Sequence, residues 1–134
     1  MHMPPPDEGI LARREEIVAA LRAIVPGEGV IADQVGLRPY ECDALSAYRA
    51  VPIAVVLPST VEQVSAVLAW CHREKVKVVP RGAGTSLSGG SLPLVDGIVL
   101  GMGKFNRILD IDFENRTVTA QPGVTNLGIT KAVE

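Results

Sequence analysis

Hydrophobic residues recur along the chain at two spacings, which separate predicted helices from predicted strands. Steps of three and four residues predict a helix over residues 10–25, and Pro26-Gly27 ends it. Its apolar face consists of Ile10, Ile17, Leu21 and Ile24. The aliphatic run at residues 51–57 instead predicts a buried strand, which Pro58 ends.

A second helix and a second strand follow at once. Ser59 and Thr60, with Glu62 and Gln63 three residues on, form overlapping capping-box patterns at the start of the helix. The core-facing residues of this helix are predicted to be Val61, Val64, Leu68 and Cys71. Residues 76–79 form the next strand. This is a βαβ unit, which predicts parallel strands joined by a right-handed connection.

The C-terminal third predicts more strands and a last helix. Residues 97–100 read as a short strand, and residues 107–112 and 117–121 as a hairpin. Thr125 is placed to cap a helix that is still apolar at Glu134, so we expect a longer protein. The predicted fold class is α+β with an α/β-like βαβ core.

Composition narrows the classes of function. Hydrophobic residues make up 47% of the 134 positions and aromatic residues only 4%, which predicts an aliphatic core. A formal charge of −2 argues against a general nucleic-acid binder. Cys42 and Cys71 lack metal-ligand spacing, and no apolar run is long enough for a membrane span. We therefore expect no metal, no nucleic acid and a cytoplasmic protein.

A segment rich in glycine and serine, residues 80–90, directly follows the strand at residues 76–79. Its backbone amides can form a nest for phosphate oxygens, and glycines let the backbone approach a ligand closely. The hydroxyls of Thr85, Ser86 and Ser88 are further donors. Arg81 either meets a phosphate or anchors the loop. The alternative is an ordinary flexible surface loop.

Two common phosphate motifs do not fit this segment. A dinucleotide fingerprint needs a third glycine at Leu87 and a helix that Pro93 would interrupt. A P-loop needs a lysine where Gly90 stands. The loop therefore predicts a phosphate site of another type.

The segment Pro80-Arg81-Gly82-Ala83-Gly84-Thr85-Ser86-Leu87-Ser88-Gly89-Gly90 closely resembles the pyrophosphate loop of FAD-linked oxidases with a vanillyl-alcohol-oxidase-type FAD domain. Within them, the chain is most similar to the group of bacterial glycolate oxidase FAD subunits and D-lactate dehydrogenases. Supporting segments are Pro39-Tyr40-Glu41-Cys42-Asp43-Ala44, Val55-Val56-Leu57-Pro58, Asn106-Arg107-Ile108-Leu109 and Gln121-Pro122-Gly123-Val124.

The resemblance implies a division of the chain. Residues 1–36 are a helical lead-in, and residues 37–134 are the N-terminal part of an FAD-binding domain. This part is the first of two subdomains that enclose FAD in the family. It ends before the second FAD segment and before the substrate domain.

The resemblance also implies which residues bind FAD. They are Pro58, Pro80, Arg81, Gly82, Ala83, Gly84, Thr85, Ser86, Leu87, Ser88, Gly89, Gly90 and Gly123. Residues 82–86 would hold phosphates, and Gly123 would approach the adenosine half. In some relatives a histidine of this loop bonds covalently to the flavin. Thr85 is the nearest position here and no histidine follows His72, so we expect non-covalent FAD.

The implied reaction is oxidation of a D-2-hydroxy acid, of the glycolate or D-lactate type, to the 2-oxo acid by hydride transfer to FAD. Its catalytic groups lie in the substrate domain of relatives, so no catalytic residue is assigned here and the chain alone is expected to be inactive. The electron acceptor is left open among a quinone, a cytochrome and an iron–sulfur partner subunit. Such a partner would place the protein peripherally at the inner membrane.

Two other functions remain open from the residues. One is a non-catalytic nucleotide- or phosphate-binding module that uses the same loop. The other is a reductase of UDP-sugars with the same FAD fold.

Overall fold

The computed structural model of the protein describes residues 5–134, and residues 1–4 of the predicted lead-in lie outside the described part. The described part begins with two helices, α1 (Glu8–Ala12) and α2 (Arg14–Ile24). The Asp7 side chain caps α1 by accepting hydrogen bonds from the amides of Gly9 and Ile10. Ile10, Ile17 and Leu21 are buried as predicted.

The single helix predicted over residues 10–25 is interrupted. At Arg13 the backbone amide bonds to the carbonyl of Ile10, three residues back, at 3.1 Å. This 3₁₀-type bond separates α1 from α2. The Arg13 guanidinium donates to Glu16 at 2.8 Å and to Glu74 at 2.7 Å, so the break also links α2 to a later helix.

A four-stranded sheet forms the centre. Its strands are β1 (Val30–Ile31), β2 (Ala54–Val56), β3 (Lys77–Arg81) and β4 (Gly97–Gly101), in the order β1-β2-β4-β3. Strands β2, β4 and β3 are parallel, and β1 is antiparallel to β2. The predicted parallel direction of β2 and β3 is confirmed, and β4 lies between them.

Strand β2 is shorter than the predicted strand at residues 51–57. Pro52 has no backbone N–H for the ladder, and pairing with β4 begins at Ala54. Val51 lies outside the core with 45% of its surface exposed.

Helix α4 (Val61–Glu74) covers one face of the sheet, and its predicted core stripe is partly wrong. Val67 and Cys71 are buried and Val64 is half-buried, whereas Val61 is 68% and Leu68 45% exposed. The predicted capping is confirmed at Thr60, whose hydroxyl accepts from the Gln63 amide. The Gln63 side chain in turn accepts from the amide of Ser59 at 2.7 Å.

The alternation of side chains in the strands divides the core in two. Ala54, Val56, Ile98 and Leu100 face the layer that contains α2 and α4. Val55 and Val99 face the opposite side, where Leu37 is buried. Leu37 ends the short helix α3 (Gln34–Leu37), and a 3₁₀ helix at Arg38–Tyr40 follows.

Two strands and a helix complete the chain. β5 (Ile108–Asp112) and β6 (Thr117–Ala120) pair as a separate antiparallel hairpin, as predicted. The last helix, α5 (Asn126–Val133), begins at Thr125, whose hydroxyl accepts from the Gly128 amide at 3.1 Å. The combination of a parallel βαβ core with an antiparallel hairpin confirms the α+β class.

Candidate cofactor-binding site

The glycine-rich loop, residues 82–90, lies at the carboxyl edge of the parallel strands. It leaves the end of β3, while Pro58 follows β2 and Met102 follows β4 at the same edge. Open α/β sheets bind ligands at this edge. The loop also meets the segment after β6, because the carbonyl oxygen of Pro122 lies 3.2 Å from the position of a Cβ on Gly82. Pro58 is buried, and Pro80 is exposed within β3.

Two glycines and one serine fix the shape of the loop. Gly84 and Gly89 have φ of 73° and 77°, a conformation that side chains with a Cβ rarely adopt. The hydroxyl of Ser86 accepts hydrogen bonds from the amides of Ser88 at 3.3 Å and Gly90 at 3.1 Å. Ser86 therefore uses its oxygen to hold the second half of the loop.

Most backbone amides of the loop have no acceptor in the protein. Within residues 5–134, no protein acceptor pairs with the amides of Gly82, Ala83, Gly84, Thr85, Ser86, Leu87 and Gly89. These residues are exposed or half-buried. Such a set of amides is what an anion-binding nest requires.

Arg81 is turned toward the protein at the base of the loop. Its Nη1 donates to the carbonyl of Cys42 at 2.8 Å, and its Nη2 lies 3.5 Å from the carbonyl of Pro39. The guanidinium carbon lies 5.5 Å from the centre of the Tyr40 ring. Of the two roles that the sequence left open, these contacts favour the anchor.

Sequence reasoning assigned no role to Asp43, which belongs to the site. The residue is only 5% exposed, and its carboxylate accepts from the Ser91 amide at 3.3 Å and the Leu45 amide at 2.9 Å. Ser91 directly follows the loop. The segment Pro39-Tyr40-Glu41-Cys42-Asp43-Ala44 was recognised only as a resemblance, because its partners lie far along the chain.

Gly123 lies where the hairpin returns to the sheet. Its amide donates to the carbonyl of Phe105 at 2.7 Å, and a Cβ on Gly123 would stand 2.7 Å from the same oxygen. Only glycine fits this close approach. Beside it is an open cleft of about 490 Å³, next to the start of α5 and lined by Gly103, Asn106, Ile108, Gly123, Thr125 and Gly128.

A cation stands near the same edge of the sheet. Lys104 follows β4, and its ammonium group donates to the hydroxyl of Ser59 at 3.3 Å. Unpaired amides, hydroxyls and a cation are the kinds of group that can bind a phosphate.

The part of the chain that the structure describes shows neither a metal-binding cluster nor a membrane-spanning helix. From residue 5 to residue 134, no group of three or more His, Cys, Asp or Glu side chains is placed to hold a metal ion. In that part of the chain, no helix has the length and apolar character that crossing a membrane requires.

Comparison with known proteins shows the family to which the chain belongs. Residues 52–134 match the FAD binding domain family. The chain is 53% identical over 120 residues to the glycolate oxidase subunit GlcD of Escherichia coli, covering 90% of this chain and 24% of that protein. It is 34% identical over 107 residues to the D-2-hydroxyglutarate dehydrogenase of Xanthomonas citri, covering 80% of this chain and 23% of that one.

A solved structure shows the same fold. The substrate-bound p-cresol methylhydroxylase superposes with a TM-score of 0.78 at 26% identity, covering 96% of this chain and 25% of that one. The chain belongs to the family of FAD-binding domains found in FAD-linked oxidases and dehydrogenases, and FAD is its cofactor. It spans about a quarter of the length of these relatives.

Proposed function

We propose that residues 82–90 bind the diphosphate of FAD in an oxidoreductase that acts on a 2-hydroxy acid. The observation that carries this proposal is the row of backbone amides without protein acceptors at the carboxyl edge of the sheet. A diphosphate accepts many hydrogen bonds and carries the charge that such a nest favours. The membership of the chain in an FAD-binding family supports the choice of ligand.

Different residues of the site contact different parts of FAD. Gly82, Ala83, Gly84, Thr85 and Ser86 donate to the phosphates, with Leu87 and Ser88 continuing the turn. Gly89 and Gly90 bring the backbone close on the flavin side. Pro58, Pro80 and Arg81 shape the base, and the cleft beside Gly123 receives the adenosine half.

FAD supplies the acceptor for the hydride that leaves the α-carbon of the substrate. The residues of this chain bind and orient the cofactor, and no catalytic residue is assigned among them. The substrate class rests on two relatives, one named a glycolate oxidase subunit and one a D-2-hydroxyglutarate dehydrogenase. Glycolate and D-2-hydroxyglutarate share a carboxylate with a hydroxyl on the adjacent carbon.

The name of the Escherichia coli relative describes a subunit. On that basis we propose that the protein passes its electrons to a partner subunit on the cytoplasmic side, of iron–sulfur or another electron-transfer type. Stable co-purification with a redox partner tests this arrangement. If the purified protein is reoxidised at full rate without any partner, this arrangement is wrong.

The test of the reaction uses a polypeptide that carries these residues together with any continuation in its gene. Purified without added flavin, it should show flavin absorption bands. Anaerobic addition of glycolate, D-lactate or D-2-hydroxyglutarate should bleach the bands, while L-lactate serves as the matched control. If neither glycolate nor either of the D-hydroxy acids reduces the flavin, the proposed substrate class is wrong. If the purified protein contains no flavin, the whole proposal is wrong.

A further inference from the structure

The glycine-rich loop is fastened at both ends to one short segment, residues 39–43. At the start of the loop, the Arg81 guanidinium donates to the carbonyl of Cys42 at 2.8 Å. Just past its end, the Ser91 amide donates to the carboxylate of Asp43 at 3.3 Å. The loop between these ends forms few bonds of its own, so residues 39–43 define where it begins and ends.

Asp43 is an unusual group for this position. Its side chain is buried, and within residues 5–134 no Lys, Arg or His lies within ion-pair distance of it. Two backbone amides, of Leu45 and Ser91, are its donors. Burying a carboxylate is costly without compensation, and each of its oxygens here accepts one amide.

The segment itself is held independently of the loop. Glu41 forms an ion pair with Arg49 at 2.6 Å, and the carbonyl of Glu41 accepts from the Ala50 amide at 2.8 Å. Leu37, at its N-terminal side, is fully buried against Val55 and Val99 of the sheet. The segment is therefore a fixed support, formed by contacts that do not include the cofactor.

We infer that Asp43 and Arg81 set the conformation in which the loop binds FAD, and that Asp43 is a positioning residue that touches no part of the cofactor. This inference rests on the proposed function of the loop. A loop ordered before binding loses less conformational entropy when it takes up a ligand. Loosening one end should weaken FAD binding without changing the chemistry of bound FAD.

The Asp43→Asn variant tests this role in the polypeptide described above. An amide has one acceptor oxygen for two backbone donors. The side-chain oxygen of the variant should keep the shorter hydrogen bond, the one from the Leu45 amide. Its NH₂ group, which is a donor, then faces the Ser91 amide and cannot accept from it. Asp33→Asn is the matched control, since Asp33 accepts from the Gly36 amide at an exposed helix start away from the loop.

The inference predicts that Asp43→Asn raises the Kd for FAD about tenfold. At saturating FAD its kcat should match the wild type, and Asp33→Asn should change neither quantity. An unchanged Kd in Asp43→Asn overturns the inference, and so does a lower kcat at saturating FAD with unchanged Kd. If Asp43→Asn does not fold, Arg81→Lys decides, because lysine lacks the planar fork that reaches both carbonyls. Weaker FAD binding by Arg81→Lys supports the inference, and an unchanged Kd overturns it. A wild-type protein that binds no FAD instead overturns the proposed function.

Discussion

Gly84 lies directly against the guanidinium group of Arg81, so that a Cβ on Gly84 would overlap it. The loop at this point also has a φ of 73°. Two separate features thus favour glycine at one position. The first is the left-handed backbone, and the second is the space taken by the group that anchors the loop to Cys42.

The variant Gly84→Ala should therefore lose FAD. Gly27→Ala is the matched control, because Gly27 has a φ of 70° but nothing within 4 Å of its Cβ position. Both variants should lower the free energy of unfolding by about 1–2 kcal/mol, the cost of a left-handed residue. Only Gly84→Ala should also weaken FAD binding, by more than about tenfold, measured by flavin fluorescence. Equal FAD affinity in the two variants would show that the contact with Arg81 has no part in binding.

The two cysteines should differ sharply in reactivity. Burial raises the pKa of Cys71 to about 11, so its thiol stays protonated and shielded at pH 8, while Cys42 is half-exposed. Because the thiolate is the reactive form, iodoacetamide should label Cys42 first in the native protein. Mass spectrometry of peptides measures this, with urea-unfolded protein as the control in which both react. Rapid native labelling of Cys71 would contradict the buried position of this side chain in α4.

Acid should destabilise the protein through Asp96. Burial raises the pKa of this carboxyl, but the Lys77 ammonium at 2.6 Å and the Asp7 amide at 2.8 Å outweigh burial and bring it below the ordinary value of 3.8. The folded state thus keeps Asp96 ionised at pH values where the unfolded chain is protonated. Its contribution is complete above about pH 4 and is lost as the pH falls toward the lowered value.

Urea unfolding between pH 7 and pH 3 measures this contribution. Asp96→Asn should cost about 1–3 kcal/mol at pH 7 and should flatten the loss of stability in acid. Asp110→Asn removes the same charge from an exposed position in β5 and should do neither. Identical pH profiles for the two variants would show that Asp96 does not cause the loss of stability in acid.

Flavin should be released by denaturation. Residues 73–134 contain no histidine, so within them no histidine can attach flavin covalently. Precipitation with trichloroacetic acid should leave all the yellow colour in the supernatant, as absorbance at 450 nm would show. Flavin that remains with the pellet would contradict a non-covalent site.

Local patterns predicted the elements well, because each depends on neighbouring residues. The cap at Thr60, the hairpin and the cap at Thr125 all follow from spacings within a few positions. The residues of α4 that face the core could not be predicted as well from local spacing. Steps of three and four residues from Val64 lead to either Val67 or Leu68, and only packing against the sheet selects Val67.

Features that depend on distant residues were not predictable. The position of β4 between β2 and β3 is a choice of pairing that no local signal records. Arg81 reaches Cys42 across 39 positions, and Ser91 reaches Asp43 across 48. The sequence therefore predicted a phosphate-binding role for residues 80–90, which stays a prediction, while the support that holds the loop required the structure.

The most direct test asks whether the loop binds the diphosphate of the cofactor. FAD and riboflavin share the flavin ring, but only FAD carries a diphosphate. Titrated into flavin-free protein and followed by fluorescence, FAD should bind at least about a hundredfold more tightly than riboflavin, and ADP should compete with it. Equal affinities for FAD and riboflavin, with no competition by ADP, would contradict the assignment of residues 82–90.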